Sequence, residues 1–594
     1  MNQHPTLPDP FQDALDKAET VLDPAAIDRL KPRLLVEEAA PDRTVSALRD
    51  LLAKSGTLYD RGLPVRLAYD QTQGTHLAQV LTPDVLVLVA HTACRPYAIR
   101  EKKGQTVEVD VRLPRQFATM YLDWRGEWHL RPLNGVAPTP LLSEDGTIHF
   151  TKGYDTASGI WCERVPDIAG VVPIEPTRRE AEDALRRLRE AFRTFCFADA
   201  AIVQSDKLMV VDTDEPPGMD ESAFLNGLLT AICRPSLRLA PGVLIRAAPM
   251  SGAGAGKGLL ARCISEIAFG REPHAVTSGS TLEELEKRIS AELMGGSPML
   301  FLDNLNNTAF KSDLLASAIT ESPARVRVLG RSQMVPLNAT AFVVLTGNGL
   351  TMSEDLARRF ITVELDPRTE EPEARSFPGD IRLEIRDRRA KLLAAALTIW
   401  RWGRLEDGIP WGRPIGSFET WARWIRDPLM ALGCRDPIER LGEAKTRDAR
   451  RQSTAELFKA WWDCHGDRPV FLRDLDDRVV RLVDQQGRGR QYVSAQFEKL
   501  AGTRIAGLVL TRQSPVGHWG VTTYRMSSSE GDPENHGHHR GHRAQHPSDA
   551  PYAPYALPGQ TDTLSTVRNP MPPMPPMPSG GATKTKPGWS EEVL

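Results

Sequence analysis

The sequence predicts a multidomain α/β protein, with a helical region and a small mixed domain behind the α/β part. Three observations predict it. At 594 residues the chain is too long for one core and points to three or four domains. Between residues 236 and 370 it alternates strand, glycine-rich loop, helix, strand and strand, the pattern of a parallel sheet. Before and after that stretch the texture changes, to short strand-like runs on one side and to Trp- and Arg-rich helical segments on the other.

Composition narrows the class. Hydrophobic residues make up 41% and charged residues 25%, an ordinary balance for a soluble globular protein. The net charge of −3 means that any basic surface must be local. Seven cysteines without a C-x-x-C pair argue against zinc and against a disulfide framework, and suit a reducing cytoplasm. The opening residues lack the basic-then-apolar pattern of a signal peptide, and no run approaches about 18 apolar residues. A cytoplasmic protein without a membrane partner is expected.

Taken in order, residues 1–40 read as a polar lead with one or two short helices. Residues 41–175 form an α+β N-terminal domain of strand-like texture: "LPVRLAYD", "DVLVLVA", "TVEVDVRL" and "GTIHFTKGYD" are apolar runs between turn residues. No acid cluster there indicates priming chemistry, and recruitment, origin binding and a priming-related role stay open. Residues 176–235 are a helical connector, opening with "PTRREAEDALRRLREAFRTF", read as a solvated helix. The α/β core spans 236–370, and a helical region 371–451 follows, whose Trp400, Trp402, Trp421 and Trp424 suit a core better than base stacking. Residues 452–526 read as three short helices and a hairpin around "SPVG", a winged-helix-like arrangement. From 527 to 594, the five histidines of 536–546 and "NPMPPMPPMPSGG" lack apolar periodicity and predict a disordered tail. "VVDTDE" (210–215) reads as a loop rather than a metal-dependent polymerase site.

The chemistry concentrates in "PMSGAGAGKGLLARC", residues 249–263. An apolar strand, "GVLIRAAP", runs into it, and a helix starts near Gly258. Glycines let a backbone curl so that its N–H groups face phosphate oxygens, and the helix start adds its positive dipole end. Ser251, Gly252, Ala253, Gly254, Ala255, Gly256, Lys257 and Gly258 are therefore candidate nucleotide-binding residues, with Lys257 supplying full charge to the phosphates. The loop departs from G-x-x-x-x-G-K-[ST] twice: Ser251 stands first, and Gly258 replaces the magnesium-binding hydroxyl. Two apolar strands follow. "MLFLDN" ends in Asp303, the candidate metal carboxylate, and "FVVLTGN" ends in Asn348, able to position a water near the γ-phosphate.

The order of glycine loop, "LFLDN", "LTGN" and "EDLARRF" resembles the superfamily 3 helicases and their AAA+ P-loop relatives, nearest to the replicative helicases and primase-helicases of phages and mobile genetic elements. The likeness covers about 236–370, and in texture extends to about 526. It implies an ATP hydrolase that uses ATP and Mg2+ and unwinds DNA during replication. It also implies a homo-oligomeric ring, commonly a hexamer, with nucleotide bound between subunits. Lys257 would hold phosphate, Asp303 would be the acid of the second motif, and Asn348 the polar sensor. Arg358 or Arg359 would reach a neighbour's γ-phosphate, a contact worth roughly 10³ to 10⁵ in rate. Asn304 stands where the family often has a second acid. The catalytic base is then open, with Glu321 and Glu292 as candidates.

"ARVRVLGRSQMVPLN" lies between the acid and sensor strands and predicts a β-hairpin with Gly330 and Arg331 near its tip. In the resembled family a hairpin there tracks DNA in the ring channel, so Arg325, Arg327 and Arg331 are candidate contacts to single-stranded DNA or a forked duplex. The 452–526 region carries nine arginines interrupted by acids, a modest basic excess. Possible primase or replication partners follow from the same resemblance. A rival reading is a DNA-bound ATP switch or assembly ATPase that does not unwind. Asn304 and Gly258 favour the rival; the hairpin and paired arginines favour the motor.

Overall fold

The computed structural model describes residues 28–528, except 73, 103, 206–207, 248–253, 278, 280, 307–308, 329, 331–332, 370, 373–374, 376, 378, 441–448, 485 and 514–521. The lead before residue 28 and the tail from 529, with its histidines and prolines, lie outside the described residues. The described chain is multidomain α/β, built from several sheets and helical regions.

Residues 33–162 combine helices with short sheets. A three-stranded sheet joins Arg33–Leu35, Arg95–Lys102 and Gln105–Asp110, and a four-stranded sheet joins Leu58–Asp60, Pro64–Asp70, Thr75–Val80 and Arg131–Pro132. Arg33–Leu35 pairs in parallel with the start of Arg95–Lys102, so part of the expected lead belongs to this layer. "DVLVLVA" is corrected from strand to helix: it lies in Pro83–Ala93. Thr82 caps that helix by accepting from the Val85 N–H at 3.3 Å, with Pro83 and Asp84 in the first turn. These local signals outweigh the β-branched run, whose length alone does not separate strand from buried helix.

The expected solvated connector is also corrected. Helix α1 (Arg178–Phe192) has a full capping box at Thr177 and Glu180 and buries Ala181, Ala184, Leu185, Leu188 and Phe192. Its apolar stripe packs on a helix far along the chain, Arg389–Leu405. Arg189, on the same stripe, is buried with Glu221 at 2.8 Å. Helix α2 (Met219–Cys233) is buried along its whole length beneath the central sheet.

That sheet is the centre of the molecule. Its strands are β1 (Gly242–Ala247), β2 (Ala275–Val276), β3 (Met299–Leu302), β6 (Phe342–Asn348) and β7 (Phe360–Leu365); β4 (Ala324–Arg327) and β5 (Met334–Leu337) form a separate hairpin. The spatial order is β2-β3-β6-β1-β7, and every pairing is parallel. Helix α3 (Lys257–Phe269) follows β1, α4 (Leu282–Gly295) leads to β3, and α5 (Asp313–Thr320) leads to the hairpin. Val243, Leu244, Ile245, Leu300, Phe301 and Val344 are all at most 2% exposed, as expected of strands covered on both faces.

Helix α6 (Arg389–Leu405) buries Trp400 and Trp402, while Trp421 and Trp424 are buried in the segment behind it. Trp421 donates to Thr230 Oγ1 at 2.8 Å and Trp424 to Glu144 at 2.7 Å, so these rings are core. One contiguous hydrophobic core runs from Leu34 to Cys434, through the N-terminal layer, the sheet and these helices. A second core, around Trp461, Val479, Phe497, Leu510 and Met526, belongs to residues 449–528. There, helices Ala449–His465, Asp477–Val483 and Arg490–Leu500 stand with a four-stranded antiparallel sheet, whose last strand, Thr523–Ser528, runs two residues past the expected start of the tail. Among the described residues, no helix is long and apolar enough to cross a membrane.

Candidate nucleotide-binding site

Parallel pairing puts the carboxyl ends of β3, β6 and β1 side by side, about 4.8 Å apart from strand to strand. Leu302 is opposite Leu345, and Ala247 is opposite Asn348. Asp303 therefore leaves β3, Asn348 ends β6, and the glycine loop leaves β1, all at one edge. In an open α/β sheet this edge is where ligands bind.

Of the loop, Ser251, Gly252 and Ala253 lie outside the described residues. Its returning arm is described: Gly254 has φ 73° and Gly256 φ 90°, and Gly256 opens α3 without a side-chain cap. The arm is braced from outside the sheet. Cys196 Sγ donates to Ala255 O at 3.5 Å, Arg375 Nη2 donates to Gly254 O at 3.4 Å, and the Phe195 ring covers Gly256. Lys257 is the first residue of α3. Burial pushes its pKa below the ordinary lysine value, while the charges of Asp303 and Cys196 pull it back up.

A relay of hydrogen bonds fixes the acid. Thr346 Oγ1 donates to Asp303 Oδ1 and accepts from the Asn304 N–H at 3.1 Å. The Asn306 amide donates to Asn304 Oδ1, and its own oxygen receives the Asn348 N–H at 2.8 Å. Asn304 itself holds φ 63°. A Cβ on Gly347 would stand 2.2 Å from Leu305 O, so only glycine lets the two loops approach. The product is a buried Asn348 Oδ1 with no hydrogen-bond partner among the described residues. Thr346, Asn306 and Cys196 escape the motif reading, although Thr346 sits inside "LTGN".

Arg262 stands at Asp303 as well. Its Nη2 is 3.6 Å from Asp303 Oδ2, and Gly258 offers no hydroxyl. Both carboxylate oxygens thus already face donors. Among the described residues there is no group of three His, Cys, Asp or Glu side chains able to hold a metal ion. Magnesium is usually held by one or two carboxylates together with phosphates. The residues here offer it a single acid, shared with a guanidinium, and so do not fit an ion held by the loop's own hydroxyl.

Glu292 and Glu321, the two base candidates, stand away from Asp303 within the subunit. Glu292 closes α4, just before β3 begins, and Glu321 follows α5 next to Ser322, whose hydroxyl binds Asn338 before β6 begins. Both lie at the amino end of the sheet, the edge away from Asp303. Arg358 and Arg359 also lie at that end, because Phe360 pairs with Gly242 at the start of β1. Six strand residues, roughly 20 Å, separate them from the loop's side of their own subunit. Arg359 turns inward onto Asp355, whereas Arg358 is exposed, its Nη2 2.6 Å from Asp355.

Beside the loop, past the end of β7, lies a cleft of about 900 Å³. Phe195, Cys196, Phe197, Met209, Arg368 and Arg375 are among its lining residues. In the hairpin, Arg325 faces Pro336 and Arg327 faces Met334 on the exposed side, with Val326 and Val335 buried. Gly330 is exposed at the turn with φ 71°; Arg331 lies outside the described residues.

No protein-family model matches the chain, and no curated protein matches it. Among solved structures, the chain is similar to the A form apo structure of the NrS-1 C-terminal region at 10% identity and a TM-score of 0.30, over 81% of this chain and 100% of that one. It is also similar to the JCV helicase at 17% identity and a TM-score of 0.20, over 40% of this chain and 63% of that one. Overlaps of this extent are too slight to carry a reading of the fold or of the activity.

Proposed function

We propose that the chain is an ATP-hydrolysing DNA motor, a ring helicase of the superfamily 3 and AAA+ kind that translocates on single-stranded DNA. One observation carries the reading: Lys257, Asp303 and Asn348 converge at the carboxyl edge of three adjacent parallel strands. Lys257 and the uncapped start of α3 would bind the phosphates. Asn348 Oδ1 would orient the attacking water, and the neighbouring cleft has the volume and apolar lining for a nucleobase and ribose. Arg358 would act on the site of an adjacent subunit, since its own site lies at the other edge of the sheet. That supports a ring, commonly a hexamer. The exposed arginines of the hairpin, and the three helices and sheet of 449–528 as a winged helix, would supply DNA contacts.

A second reading, a DNA-bound ATP switch, is favoured by Asn304, which leaves the site without a second acid. Steady-state ATPase with and without single-stranded DNA separates the two. The motor reading expects DNA-stimulated turnover that disappears in Lys257→Ala along with ATP binding. Tight ATP binding without turnover would favour the switch, and normal nucleotide affinity in Lys257→Ala would remove the site altogether.

A further inference from the structure

The replacement of a hydroxyl by Gly258 has a counterpart one helical turn on. Residues four apart on a helix share a face, and helical side chains lean toward the amino end. Arg262 accordingly reaches back over Gly258. A Cβ on Gly258 would lie 2.7 Å from Arg262 Nη1 and 3.5 Å from each carboxylate oxygen of Asp303. The guanidinium therefore occupies the direction in which a serine or threonine hydroxyl would project. Its position is supported on two further sides: its carbon is 5.4 Å from the centroid of the Phe301 ring, and Nη2 is 3.6 Å from Asp303 Oδ2. Phe301 belongs to β3 and is fully buried, so the platform under the guanidinium is rigid.

We propose that Arg262 is the phosphate site's built-in cation, bridging Asp303 to the phosphate oxygens of a bound nucleoside triphosphate, so that binding does not need a divalent ion. The proposal rests on the nucleotide reading above. A guanidinium carries five donors and a permanent charge, enough to keep Asp303 while reaching a phosphate. Gly258 then makes room for that cation.

The experiment is calorimetric titration of ATP into the full chain in EDTA and in magnesium, for the natural protein, Arg262→Gln and Arg262→Lys, each checked by its thermal melt. The natural chain should bind in EDTA within about threefold of its affinity in magnesium. Arg262→Gln should lose about tenfold or more in EDTA, the worth of a charge-assisted hydrogen bond, and recover most of it in magnesium. Arg262→Lys should fall between the two. A natural chain that needs magnesium by tenfold or more, with the same ratio in both variants, overturns the proposal and leaves the nucleotide site standing. If the natural chain binds no ATP under either condition, the nucleotide reading fails and this proposal fails with it.

Discussion

Lys257 starts a helix in a half-buried position, and its pKa is pulled below the ordinary lysine value by desolvation. A phosphate bound beside it would favour the charged form. Nucleotide affinity should therefore be full while Lys257 is protonated and fall as pH rises through its depressed pKa. The loss should begin below about pH 10.4, where an unperturbed lysine titrates. ATP titrations across that range test this, with Lys257→Arg as the control that stays charged; an identical alkaline loss in that variant would point to another group. Lys257, Asp303 and Asn348 are readable in the sequence because each closes a local pattern, a glycine loop or an apolar run ending in a polar residue. Arg262, Thr346 and Cys196 are not marked in that way. Thr346 meets Asp303 through the register of two strands, and Cys196 reaches the loop from 59 residues away. Arg262 is open to inference, since it stands four positions after Gly258 on one helix face.

The hairpin is the element whose function is most exposed to test. Its alternation is legible because one face is buried and the other is not, which fixes register at a period of two. Replacing Arg325 and Arg327 together by alanine should weaken binding to single-stranded DNA of any sequence. If both contact phosphates, the log–log salt dependence should flatten by about 1.4, at roughly 0.7 per contact. Filter-binding or anisotropy titrations over a salt series measure it, and an unchanged slope would leave both arginines as ordinary surface charges. Elements are harder to read where apolar residues also occupy the exposed face, as Leu88 does at 67% exposed. The apolar run of Pro83–Ala93 has no polar face to display a period, so its caps alone announce a helix. The amphipathic stripe of α1 is plain in the sequence, but its partner, α6, is some two hundred residues away.

At the scale of the molecule, the N-terminal layer and the sheet share a core that the sequence divides between domains. Changes of texture mark where strands give way to helices, and do not reveal which apolar faces meet. Arg61 shows how closely the two parts are joined. It is 4% exposed and donates to Leu293 O at 2.8 Å, Met294 O at 3.0 Å and Leu133 O at 2.9 Å, so an arginine of the N-terminal layer caps the carboxyl end of α4. Arg61→Met leaves those carbonyls without their donor and should cost about 3 kcal/mol. Urea unfolding should show the first transition at lower denaturant, and an unchanged midpoint would mean that water replaces the guanidinium without loss. The next residue extends the consequence. Gly62, at φ 74°, lies directly beneath the hairpin, where an added Cβ would stand 2.8 Å from Val335 Cβ, and Arg125 holds Gln333 at 2.7 Å. The hairpin is thus propped on the N-terminal layer at mid-strand, by Val335, and beside its turn, by Gln333. A pull on its strands would be carried as load through Val335 into the N-terminal layer, whose stiffness would then limit how far the hairpin travels.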